Sequence, residues 1–253
     1  MIFALAAISV ALTTAALAQQ AGSHQLRLKG NPTPLPGIVL SSDGRTVQFQ
    51  TQAGTVGYPL VNVESVVMPV PVELGQAQQA LQSGDTKKAL QLNRVVAEKY
   101  KGLPTDWAKL AASTAANLLI SAGELDKADV AFRELERIYP GAGGLQAKVG
   151  QARIAVAKKD YSTAKGALES VTEEALKQKN VPRENAFAYS QAFYAMGLVQ
   201  ESEGKLQEAL ESYLRTVTIF FHDPSARSAA QERANELREK NKGKKTSEHL
   251  TVP

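Results

Sequence analysis

Three histidines, His24, His222 and His249, are the first residues to weigh for chemistry, because imidazole is a common metal ligand and a general base near neutral pH. They stand near the N-terminus, at the expected end of a helix and in the C-terminal tail, with no metal-ligand spacing among them. His222 and Asp223 are adjacent, but Pro224 follows, and a His-Asp-Pro run reads as a helix stop rather than a catalytic pair. The acidic pairs Glu173-Glu174 and Glu201 with Glu203 fit solvent-facing helix surfaces better than acid–base catalysis. The chain has no cysteine, so it offers no thiol nucleophile, disulfide, thiolate metal site or lipidated cysteine. Neither a Gly-rich phosphate loop nor a GxSxG elbow is present in the sequence. These residue types predict a protein that is not an enzyme, with no metal and no cofactor.

Charge gives no simple pointer to a partner either. The formal net charge is +4, but Arg238, Lys240, Lys242, Lys244 and Lys245 against Glu239 and Glu248 leave +3 in the tail. The folded part is therefore close to neutral. Residues 241–253 read as a disordered basic tail, and nucleic acid is not an expected partner.

At 253 residues with 43% hydrophobic content, the chain is long enough for one large or two small folded units. Beyond Val72 the composition turns to Ala, Leu, Gln, Glu and Lys, which are good helix formers. Four windows there align without gaps. They begin at Ser83-Gly84-Asp85, Ala122-Gly123-Glu124, Lys158-Lys159-Asp160 and Glu203-Gly204-Lys205, and end on Ala89, Ala128, Ala164 and Ala209. Each reads as a helix, a tight turn and a second helix opening on alanine. Seven residues before the turn glycine, or Lys159 in its place, stand the small residues Ala77, Ala116, Ala152 and Gly197. Four residues after the marker alanine stand Asn93, Phe132, Leu168 and Tyr213. A small residue on the first helix lets the second approach, and a bulky residue one turn into the second fills the space beside it.

These positions resemble the tetratricopeptide repeat over residues 72–224, in about four repeats. The marker alanines are unevenly spaced, which places extra residues in Lys101–Pro104, Gly141–Gly144 and Lys177–Asn185. Residues 225–240 read as a capping helix with Ala226, Ala230, Ala234 and Leu237 on one stripe. The resemblance implies a mainly α fold, a right-handed helical solenoid whose concave groove holds a segment of another protein. Carrying groove positions across places Gln78, Asn117, Arg153 and Leu198 at one equivalent site, and Leu74, Ser113, Val149 and Tyr194 at another. Asn117, Arg153, Tyr194 and Leu198 are the candidate protein-binding residues, because an amide can bond a peptide backbone and a guanidinium can pair a carboxylate. An ordinary solvated helix face is the alternative for each. Ser113 stands where the family's carboxylate clamp has lysine, so that specificity is not expected.

Ahead of the helices, residues 19–71 read as a small all-β module, either a small barrel or a curled sheet. Five short strands are expected at Gln25–Lys29, Gly37–Ser41, Thr46–Thr51, Thr55–Tyr58 and Glu64–Met68, with hairpin turns at Ser42-Asp43-Gly44 and Gln52-Ala53-Gly54. Strand number, hairpin spacing and the Leu60-Val61-Asn62-Val63 turn resemble small SH3-like or Sm-like barrels. Pro69 and Pro71 then mark a short linker. Trp107, alone of its kind, is expected in the core where the second repeat begins.

Residues 1–18 are uncharged, apolar from Ile2 to Val10, and end in Ala16-Leu17-Ala18, a small-x-small cleavage pattern that makes Gln19 the expected first mature residue. A retained membrane anchor is the other reading. Export together with the lack of cysteine points to a periplasmic product of a Gram-negative envelope. The expected function is a non-catalytic scaffold of the cell envelope that binds other envelope proteins. The alternative is a self-assembling structural protein, which makes a homo-oligomer possible.

Overall fold

The structure is a computed structural model that describes residues 24–248, so the expected signal segment lies outside the described residues. The chain forms two compact units that divide at Leu118/Leu119. In the first unit, β1 (His24–Leu28), β2 (Leu35–Asp43), β3 (Thr46–Thr51), β4 (Gly54–Pro59) and β5 (Val63–Val67) pair in the order β4-β3-β2-β1-β5. A 3-10 turn at Leu60–Asn62 precedes β5, at the place where a turn is expected from the sequence. Alternation explains the strands: Val47 and Phe49 are wholly buried while Gln48 between them is exposed. Asp43 shapes the first hairpin, its Oδ1 accepting from the N–H of Arg45 and of Thr46, both at 2.8 Å.

Of the two expected forms, a small barrel or a curled sheet, the strands take the second: no ladder joins β4 to β5 among the described residues. The physical reason is the path of the chain: β4 spends its whole length on β3, and the 3-10 turn then carries β5 across to β1. A bulge between Val39 and Ser41 bends β2, which pairs with β1 at its start and with β3 at its end. The result is a curled, open sheet.

Helix α1 (Val72–Gln82), helix α2 (Thr86–Lys99), the two-residue strand β6 (Tyr100–Lys101) and helix α3 (Asp106–Ser121) follow. Strand β6 was not expected; it pairs parallel with the end of β2, and Ser42 Oγ donates to the Lys101 carbonyl at 2.6 Å. The sheet has no core of its own. Leu26, Val39, Val47, Phe49, Val63 and Val66 share one cluster with Val96, Tyr100, Leu103, Ala108 and Ala111. Trp107 is half-buried and meets Tyr100 edge-on, ring centres 5.2 Å apart.

The remaining elements are α4 (Leu125–Ile138), α5 (Ala142–Ala157), α6 (Tyr161–Lys177), α7 (Arg183–Ser202), α8 (Leu206–Thr218) and α9 (Pro224–Glu248). The four expected turns share one geometry. Gly84, Gly123, Lys159 and Gly204 all have positive φ, of 80°, 74°, 61° and 75°. The next N–H in each case bonds a carbonyl five residues back: Asp85 to Ala80, Glu124 to Leu119, Asp160 to Ala155 and Lys205 to Gln200, at 2.8 to 2.9 Å. That is the Schellman closure of a helix C-terminus. Asp85 and Asp160 then cap the following helix by accepting from the N–H of Lys88 and Thr163.

The marker alanines Ala89, Ala128, Ala164 and Ala209 are all fully buried, as are Phe132, Leu168 and Tyr213 four residues on. Asn93, the polar exception at that position, is buried too and donates through Nδ2 to the Ala89 carbonyl at 2.9 Å. Gly197 lies so close to the Tyr213 ring that a β-carbon there has no room, and Gly150 on α5 stands in the same relation to Phe132 on α4. The helical region is therefore TPR-like in its turns and its packing. The capping stripe is present as expected, with Ala226, Ala230, Ala234 and Leu237 buried. However, α9 begins at Pro224 and continues to Glu248, past Lys240 and into the stretch expected to be a disordered tail.

Candidate protein-binding face

The face to consider in the second unit is built on α5 and α7. Along α7, Phe187, Gln191, Tyr194 and Leu198 recur at steps of four, three and four, which puts them on one stripe. Phe187 is 42% exposed and the other three are half-buried. Arg153 on α5 is half-buried as well and interacts with both Tyr194 and Asp223. Burial lowers the guanidinium pKa from its ordinary value, and the negative Asp223 and the Tyr194 hydroxyl oppose that shift. Burial likewise raises the Tyr194 hydroxyl, against the pull of Arg233 and Arg153.

Asp223 organises one end of this face. Its Oδ1 accepts from the N–H of Ser225 at 2.9 Å and of Ala226 at 3.1 Å, capping α9, while Oδ2 accepts from Gln191 Nε2 at 2.6 Å. Pro224 sits at the first helical position, where its missing N–H costs nothing. Ser190 Oγ donates to the Phe220 carbonyl and accepts from the Asp223 N–H at 3.1 Å, fastening the α8–α9 connection to α7. The run His222-Asp223-Pro224 lies just past the end of α8 at Thr218, and its Asp-Pro pair also starts α9. His222 is exposed and stacks on Phe221 at 4.8 Å, while the Asp223 carboxylate is committed to the cap and to Gln191.

The other end is held by a charged anchor. Glu201 accepts from Arg233 through Nε at 3.2 Å and from the Tyr213 hydroxyl at 2.9 Å, and Arg233 also donates to Glu236 at 2.6 Å. The Glu201 bond raises the Arg233 pKa, so this cation persists at any ordinary pH. Burial followed by Glu201 raises the Tyr213 hydroxyl, which stays a donor. Glu201 was expected on a solvated helix surface; its side chain is only 16% exposed. Glu203 does fit that expectation, pairing with Lys165 at 2.8 Å and Lys205 at 2.9 Å on the outside of the turn. Glu174 accepts from the Tyr189 hydroxyl at 3.0 Å.

Of the four expected binding residues, Arg153 and Tyr194 come together, and Tyr194 and Leu198 share the α7 stripe. Tyr194 and Leu198 also pack against Ala209, Tyr213, Ala230, Ala234 and Leu237, so the capping helix covers part of each. Asn117 belongs to the first unit, where its Nδ2 donates to the Ser113 carbonyl at 2.9 Å. Ser113 is buried and bonds back to Leu110, which turns it away from any ligand. Phe187, Gln191 and Asp223 were missed. The Asp-Pro pair carries a readable signal of helix initiation, and Gln191 stands three residues before Tyr194 on the same stripe.

No protein-family model matches the chain, and no curated protein matches it. Solved structures to which the chain is similar include the MamA fragment from residue 41 of Desulfovibrio magneticus RS-1, 17% identical over 68% of this chain and 94% of that one, with a TM-score of 0.41. A putative kinesin light chain from Podosopora anserina, with nearly identical TPR-like repeats, is 19% identical over 71% and 90%, with a TM-score of 0.44. A tetratricopeptide repeat protein from Parabacteroides merdae ATCC 43184 is 10% identical over 64% and 70%, with a TM-score of 0.35. The repeat assignment rests on this chain's own turns and buried positions.

Proposed function

We propose that this protein is a non-catalytic scaffold that holds a segment of another protein against the α5–α7 face. The observation that carries the proposal is the α7 stripe. Phe187 stands open on a stripe that continues through Gln191 and Tyr194, and Arg153 of α5 interacts with Tyr194. A stripe that carries an exposed aromatic, an amide and a phenol next to a guanidinium suits a peptide that offers one apolar side chain and one carboxylate. The scaffold is placed in the bacterial envelope, and most simply in the periplasm, on the strength of the uncharged apolar segment from Met1 to Ala18.

A photo-crosslinking residue at Phe187, compared with one at the exposed Val130 of α4, tests the face directly. The expected result is a discrete protein adduct from Phe187 alone, lost when Arg153 and Tyr194 are both changed to alanine. Equal adducts from both positions, or adducts that survive the double change, would show that the face is wrongly assigned. Mass spectrometry of the mature N-terminus, expected at Gln19, tests export separately.

A further inference from the structure

We propose that β4 is the pairing edge of a symmetric dimer, in which β4 of one copy adds antiparallel to β4 of a second copy. The strand lies in the first unit, so the inference is independent of the α5–α7 face.

Among the described residues β4 and β5 are the two strands of the main sheet that pair on one side only. An open edge presents unpaired N–H and C=O groups, and proteins usually blunt it with charge, a bulge or a cover. Strand β5 has such protection, with Glu64 on it and an irregular register against β1 at Arg27/Leu28. Strand β4 has none. Gly54-Thr55-Val56-Gly57-Tyr58-Pro59 carries no charge, its register against β3 is unbroken, and every residue except the half-buried Tyr58 is exposed.

The register decides which groups face outward. The Leu60 N–H donates to the Arg45 carbonyl at 2.7 Å, which makes those two a bonded pair. Bonded and non-bonded pairs alternate along an antiparallel ladder. The facing pairs Tyr58 with Val47 and Val56 with Phe49 are therefore bonded inward, and Thr55, Gly57 and Pro59 turn their backbone groups to the free side. Proline lacks an N–H, but its carbonyl is available.

A two-fold axis centred on Gly57 satisfies this pattern. Gly57 of each copy exchanges two N–H···O bonds with Gly57 of the other, and the Thr55 N–H of each meets the Pro59 carbonyl of the other. Val56 then faces Tyr58 across the joint, twice. Both lie on the core side of the sheet, since Val56 faces the buried Phe49 and Tyr58 meets Phe49 edge-on at 6.2 Å. A β-branched residue opposite an aromatic is a favourable cross-strand pair. Val56 is 42% exposed in the single chain, and this pairing covers it. Glycine at the centre removes side chains where two copies meet on the outer face. An uncharged strand also has no like charges to oppose self-pairing, so one edge suits both partners of a closed two-fold interface.

Sedimentation of the full chain over a concentration series, with residue-resolved amide exchange on the same samples, tests the proposal. The expected result is a monomer–dimer equilibrium in which exchange at Thr55 and Gly57 slows as dimer accumulates. Val56→Lys should weaken the dimer about tenfold, since two cross-strand pairs are lost at once. A monomer at every concentration overturns the proposal, as does a mass that grows beyond dimer through head-to-tail pairing of β4 with β5. A dimer in which Thr55 and Gly57 exchange as they do in the monomer overturns it as well. Exchange in the unsubstituted protein decides the matter even if Val56→Lys folds poorly.

Discussion

Replacing Lys159 with glycine should stabilise the protein, although it deletes a whole side chain. Lys159 has φ of 61° and is the one non-glycine residue with positive φ among the described residues. Its N–H donates to the Val156 carbonyl and the N–H of Asp160 to that of Ala155, both at 2.9 Å, so the closure of α5 holds it there. A residue with a β-carbon in the left-handed region costs roughly 1–2 kcal/mol. Glycine removes that cost but loses roughly 0.4–1 kcal/mol to the greater freedom of the unfolded chain. The lysine side chain is exposed, so the net expectation is about 0.5–1 kcal/mol of stabilisation. For a chain of this size that raises Tm by a few degrees, on the order of 1–4 °C. The single tryptophan, Trp107, lies in the first unit, so far-UV circular dichroism is the probe that sees the second. Two controls sharpen the test. Lys159→Ala should be nearly neutral because the β-carbon stays. Lys158→Gly, one residue earlier at a right-handed φ of −80°, should destabilise by about 1 kcal/mol. If Lys159→Gly lowered the midpoint as Lys158→Gly does, the conformational argument would be refuted.

Two further outcomes follow from other positions. Gly197→Ala places a β-carbon against the ring of the fully buried Tyr213, whose hydroxyl is tied to Glu201, and should cost about 1–3 kcal/mol. A double-mutant cycle with Tyr213→Leu should recover part of that loss, and strict additivity would show that the two do not meet. His24 is half-buried and its Nδ1 accepts from the Val39 N–H at 2.8 Å, so burial lowers its pKa and the neutral form is the one that fits. Below about pH 6.5 the unfolded chain takes up the proton first, so this contribution is complete above that pH and is lost as pH falls toward the lower folded value. Urea midpoints followed by Trp107 fluorescence should fall with acidification more steeply in the unsubstituted protein than in His24→Gln. Identical slopes would exclude His24 as the source.

Much of the helical architecture was legible because its signals are local. A turn residue, the carbonyl it must reach and the alanine that follows lie within about ten residues of one another, and their spacing survives even where lysine replaces glycine at position 159. The strands were legible for a related reason, since Val47 and Phe49 announce a buried face by alternation alone. Strand β6 was not, because two residues carry no period; Tyr100 and Lys101 become a strand only when α2 delivers them to the end of β2. The candidate face was legible in part. Tyr194 and Arg153 were found from register, whereas the role of Asp223 was missed because it depends on the side chain of Gln191, thirty-two residues away in sequence.

What the sequence by itself determined is the repeat: its turns, its buried alanines, and the absence of cysteine and of clustered histidine. These follow from backbone conformational preference and from composition, which need no distant partner. Tertiary structure alone decided whether the sheet closes, which residues share its core, and how much of each groove residue remains open. Tyr194 and Leu198 show why. Helical period assigns them to a face, but their exposure is set by α9, which covers part of each with Ala230, Ala234 and Leu237. Burial belongs to pairs of elements, and a single element's period cannot state what will come to lie against it.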